Sequence, residues 1–124
     1  MLTHVTLGYD DLARSKEFYD YVLEPLGYAC VNDGETMKMY RGAQGPAFGV
    51  LTPRDGKAAT AANGFTLGLA APNAAAVDEF YKRALAKGAT DEGAPGPRPY
   101  MPGLYAAYVR DPGGHKICAS CVEK

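Results

Sequence analysis

Alternation of apolar and polar residues opens the chain and then gives way to helical spacing. From Leu2 to Tyr9, Thr3, Val5, Leu7 and Tyr9 share one face and His4, Thr6 and Gly8 share the other. This predicts a strand whose first face is apolar enough to receive a helix. Asp10 or Asp11 then caps a helix with apolar positions at Leu12, Phe18, Tyr19, Val22 and Leu23, all on one side. Pro25 and Gly27 stop it near Leu23. The same order of events returns from Gly64 to Gly88. Phe65, Leu67 and Leu69 alternate with Thr66, Gly68 and Ala70, Asn73 supplies the cap, and Val77, Phe80, Tyr81, Ala84 and Leu85 form the stripe. Setting Phe18-Tyr19 on Phe80-Tyr81 gives an offset of 62, which places His4 opposite Thr66 and Val5 opposite Leu67. The offset is even, so strand faces stay in phase. A half-length unit does not bury its apolar face alone, so the two halves are expected to share a core as one domain, with modules at 1–53 and 63–124.

Each helix is followed by strand signals. Tyr28 to Val31 and Glu35 to Arg41 flank Asp33-Gly34, read as a two-residue turn with positive φ, and Ala47 to Thr52 follows the break at Gly45-Pro46. Pro53 to Asn63 is small and polar and reads as a connector. In the second half, Ala89 to Gly103 holds four prolines and three glycines, so no regular long strand is expected there. Leu104 to Arg110 and His115 to Cys121 close the chain as a hairpin around Asp111-Pro112-Gly113-Gly114. If Arg110 pairs with His115, Ala107 lies opposite Cys118 and Tyr105 shares that face. The predicted class is α+β, two βαβββ modules.

Composition narrows the partners. The chain has 124 residues, 47% of them hydrophobic, and a formal net charge of −1, with its basic residues scattered. That is a globular balance without the basic footprint of a nucleic-acid partner. No apolar run is long enough to cross a bilayer and no leader-like segment is seen, so no membrane is expected and the location is expected to be cytoplasmic. Three cysteines, Cys30, Cys118 and Cys121, do not all pair within one chain and are read as free thiols. Cys118 and Cys121 have C-x-x-C spacing, but strand positions three apart point to opposite faces, which speaks against a zinc knuckle or dithiol pair. No phosphate-binding glycine loop or serine elbow is present.

Three stretches carry a resemblance: HVTLGYDDLARSKEFYDYVLEPLG at the start, GAPGPRPYMPG before the last hairpin, and YVRDPGGHKI within it. On these the chain resembles the vicinal oxygen chelate superfamily, which includes glyoxalases, bleomycin-resistance proteins and extradiol dioxygenases. The resemblance implies curled mixed sheets forming a cup, helices outside, and a ligand or metal held inside. In metal-using members the ligands are a first-strand histidine and a last-strand carboxylate of each module. The histidine position matches His4; its counterpart in the second module is Thr66, and the carboxylate positions fall on Gly49 and Cys118. Only one of these four is a conventional ligand, whereas a catalytic divalent site needs at least three.

The residues expected to line the cup are His4, Thr66, Tyr105 and Cys118, with Arg98 and Tyr100, and Met101 beside them, covering its mouth. Met37 and Met39 are read as core or cup lining, Cys118 as an inert buried thiol, and His115 as an exposed turn residue. Three functions compete. A metal-free protein enclosing a small organic molecule explains the fold and the lost ligands together. A lyase, isomerase or dioxygenase using zinc, nickel, manganese or iron explains the fold alone. A metal-free enzyme with His4 as general base has a group that titrates near neutral pH but no acid partner. The resemblance also implies a homodimer.

Overall fold

The computed structural model describes residues 1–123. The first module runs β1 (His4–Gly8), α1 (Leu12–Val22), a 3-10 turn (Glu24–Leu26), β2 (Ala29–Asp33), β3 (Met37–Arg41) and β4 (Ala47–Leu51). The second runs β5 (Leu67–Ala70), α2 (Ala74–Ala86), β6 (Thr90–Pro97), β7 (Leu104–Arg110) and β8 (Lys116–Val122). The class is α+β, two βαβββ units as the repeat predicts. Each unit forms an unclosed mixed sheet, ordered β1-β4-β3-β2 and β5-β8-β7-β6, in which the first and last strands are parallel and the others antiparallel.

The helices begin where the sequence places their caps. Asp11 accepts from the Arg14 amide and Asn73 from the Ala76 amide. Gly88, at φ 95°, follows the last turn of α2 in a conformation that a side chain disfavours. Phe18, Tyr19 and Val22 of α1 and Val77, Phe80 and Ala84 of α2 are fully buried, and one apolar cluster runs through both modules. Burying a side chain of the size of Phe80 contributes about 1.5–3 kcal/mol. One sheet tyrosine ties each helix to its own sheet in the same way: Tyr40 of β3 donates to Asp20 of α1 at 2.9 Å, and Tyr105 of β7 donates to Asp78 of α2 at 2.6 Å.

Four expectations need correction. Asp33-Gly34 is not a two-residue turn. Gly34 has no positive φ, its amide donates to the Met37 carbonyl at 2.9 Å, and residues 34–36 join the strands. A strand does run through the Pro/Gly-rich stretch to Pro97; it is an edge strand with register breaks between Asp91 and Gly93 and between Gly93 and Gly96. An edge position tolerates proline because no neighbour needs its missing amide.

The last hairpin is shifted by one residue. Arg110 pairs with Lys116, so Tyr108, not Ala107, lies opposite Cys118. His115 is 4% exposed and belongs to the turn. The cause is Asp111, whose carboxylate accepts from the amides of Gly113 and His115 at 3.0 and 2.8 Å and folds a fifth residue into the loop. His115 donates from Nε2 to the Gly8 carbonyl at 2.8 Å and lies against the Tyr9 ring, while Tyr19 donates to Asp111. The turn thus clasps the second module onto the first.

Candidate functional site

Helices cover one face of each sheet and leave the other open. On β1 and β3, Leu7 and Tyr40 face the core, so period two turns His4, Thr6, Met37, Met39 and Arg41 outward. They line a hollow of about 530 Å³ with Leu51 and Arg54. His4 is exposed there, its Nδ1 2.9 Å from the Thr3 hydroxyl. On the second sheet a hollow of about 340 Å³ is lined by Thr66, Glu92, Arg98, Tyr100, Tyr108 and Lys116.

Thr66, Arg98 and Tyr100 are therefore brought together, and His4 lies in a different hollow. Tyr100 is exposed in the second hollow, whereas Met101, next in sequence and also exposed, is not part of the lining. Tyr105 is on the wrong side. The one-residue shift of the hairpin sends it toward α2, where it is bound to Asp78, and puts Tyr108 on the open face instead. Cys118 shares that face across the strands from Tyr108, but is 6% exposed and outside the lining of the hollow. Burial pushes its thiol up from the ordinary value, against smaller opposite effects from the Tyr108 hydroxyl and the charges of Arg98 and Lys116. A thiol held protonated is a poor nucleophile. Burial likewise raises Tyr108, with the neighbouring Cys118 adding to it. Cys121 points the other way, opposite Tyr105, and all three cysteines are free.

Arg98 is held in place by carbonyls. It donates to Ala94 at 2.8 Å, Gly96 at 3.0 Å and Pro97 at 3.2 Å, and its guanidinium lies 5.4 Å from the Tyr108 ring centre. The Lys116 ammonium is 5.4 Å from the same ring centre. Sequence reasoning missed Tyr108 through the hairpin register, Lys116 although it shares a strand face with Cys118, and Arg41 and Arg54 because no motif marks them. Period-two alternation with Met37 and Met39 was the available signal for Arg41.

The donor set does not fit a divalent ion. Position 49 has no side chain, and a Cβ built there would collide with the Met39 sulfur. Thr66 and His4 line separate hollows, and Cys118 is covered. Among the described residues no group of three or more His, Cys, Asp or Glu side chains is placed to hold a metal. Among them too, no helix is long and apolar enough to cross a membrane.

A model of the Glyoxalase/Bleomycin resistance protein/Dioxygenase superfamily matches residues 1–119. Among solved structures, the chain is similar to a glyoxalase/bleomycin resistance protein from Albidiferax ferrireducens T118, with 42% identity, 97% of each chain covered and a TM-score of 0.88. It shares its fold with a glyoxalase-related enzyme from Fulvimarina pelagi (21% identity, 97% of this chain and 86% of the other covered, TM-score 0.75). The same holds for a glyoxalase/bleomycin resistance protein/dioxygenase family enzyme from Burkholderia phytofirmans PsJN (19% identity, 98% of each chain covered, TM-score 0.75). No curated protein matches the sequence significantly.

Proposed function

The chain belongs to the glyoxalase/bleomycin resistance protein/dioxygenase superfamily, and we propose that within it the protein captures a small organic molecule on its open sheet faces without a metal. The observation that carries this reading is the pair of hollows, each mixing apolar and polar side chains, on faces whose ligand positions hold His4, Gly49, Thr66 and a covered Cys118. Concave sites with apolar walls and a few polar groups are the usual form of small-molecule sites. Fold alone does not choose the molecule. Three free thiols support a reducing, cytoplasmic setting.

The assembly we propose is a homodimer. β1 and β5 each end their sheet, so each has one edge without a strand partner. A groove of about 780 Å³ beside them is lined by Val5, Phe48, Leu67 and Leu69. Open edges are templates for another strand, and a two-fold pair satisfies both at once.

The test is a thermal-shift screen of small organic molecules with wild type and His4→Ala. A hit that raises the melting temperature of wild type and does so less with His4→Ala, at unchanged basal stability, supports the reading. A screen without any stabilising compound, on folded protein, speaks against it. Light scattering that gives the monomer mass would remove the dimer.

A further inference from the structure

On the helices three cations are matched with carboxylates, while Arg14 and Lys82 have no carboxylate partner among the described residues. Lys16 pairs with Asp20, Lys87 with Glu17, and Arg83 with both Glu24 and Glu79. Lys38, on the core-facing side of β3, pairs with Asp33. On the open faces no cation that lines a hollow is matched. Arg41 and Arg54 line the first hollow, and neither has a carboxylate partner among the described residues. Arg98 and Lys116 line the second, and neither of them has one. Glu92 is the acid in either lining, and it is taken by Arg110 at 2.8 Å. A chain with a formal net charge of −1 thus turns unmatched positive charge toward both candidate sites.

The apolar partners lie beside these charges. Met37, Met39 and Leu51 share the first hollow, and the rings of Tyr100 and Tyr108 share the second. Methionine adapts to irregular apolar bodies, and a tyrosine ring adds a flat wall. The geometry points to a ligand that is an organic anion with an apolar, preferably aromatic, body. Its charge is met by Arg41 and Arg54 on one face or by Arg98 and Lys116 on the other. Arginine is suited to the oxygens of a carboxylate or sulfonate, which it meets with a planar fork of donors. This rests on the reading that the open faces capture a small molecule, and it names the chemical class.

Two fluorescent probes of nearly the same shape separate the two ideas: anilinonaphthalene sulfonate, an anion, and phenylnaphthylamine, its neutral counterpart. Titrations on the folded protein should give an affinity for the anion roughly tenfold higher, weakening as salt is raised. The double variant R41Q/R54Q and the single variant K116Q should each weaken the anion several-fold. The double variant K57Q/K82Q, which removes two charges outside both hollows, should change it less than about twofold. Arg98 is left intact because it also fastens the β6 carbonyls. Equal affinity for the two probes, or equal loss in K57Q/K82Q, overturns the anion inference and leaves capture standing. Displacement by inorganic phosphate at matched ionic strength overturns the apolar part. Binding of neither probe overturns capture and this inference together.

Discussion

The two modules place a different pair of side chains at the same point of the same architecture. In the first, Met39 of β3 faces Gly49 of β4; in the second, Tyr108 of β7 faces Cys118 of β8. Each glycine or cysteine stands where the superfamily resemblance puts a metal-binding carboxylate. In the first module the space over the missing side chain is taken by a thioether, and in the second a thiol, raised by burial, lies across the strands from a tyrosine. At neither position does a side chain reach the hollow on its face. The modules differ again in their last turns. Among the described residues, 42–46 of the first make no hydrogen bond to the second, whereas Asp111 to His115 lock onto Gly8, Tyr9 and Tyr19.

That second difference has the largest expected effect. Asp111→Ala leaves the His115 amide and the Tyr19 hydroxyl without their acceptor in a buried setting, and takes one of two acceptors from the Gly113 amide. Urea unfolding should show a loss of about 3 kcal/mol or more. A loss below about 1 kcal/mol would mean that the clasp is not what joins the modules. The wild type itself should unfold in one transition by two independent probes. Two transitions would separate the modules.

The Met39 and Gly49 pair comes next. Gly49→Ala pushes a methyl into the Met39 sulfur, the flexible end of a side chain that can turn into the hollow, so it should cost no more than about 1 kcal/mol, and Met39→Ala combined with it should recover part of that loss. Strict additivity in the double variant would refute the filled-space account. The Cys118 side of the comparison is subtler. Its thiol is raised by burial, so its contribution to stability is fully present below the ordinary thiol value of 9.0 and is lost as pH rises through the higher folded value. Cys118→Ala should flatten that part of the alkaline slope in denaturant melts. An unchanged slope would assign it to Tyr9 and Tyr19, whose phenols burial and Asp111 also raise.

Much of this was legible in the chain because it rests on periodicity. The offset between Phe18 and Phe80, the caps at Asp11 and Asn73 and the alternation around His4 each follow from local spacing, and the modules form accordingly. Tyr105 and His115 were misplaced for one reason. Asp111 draws five residues into a turn that spacing alone allots four, and a strand read one step out of register exchanges its faces. That bond depends on a carboxylate buried against Tyr19, a contact 92 residues apart in sequence. The hollows were beyond reach for a similar reason. Arg54 follows β4, and its place beside Arg41 is a matter of how the sheet is built, not of any motif.

The central claim is capture without a metal, and metal content is its most direct measurement. Protein purified without chelators should contain far less than one divalent ion per chain by elemental mass spectrometry. Zinc, nickel, manganese or iron should leave its melting temperature nearly unchanged, since an ion bound tightly to the native state stabilises it by mass action. Zinc is the most demanding case because His4 and Cys118 are both zinc-type ligands. One metal per chain, lost in His4→Ala, would contradict the account and restore a metal-dependent enzyme.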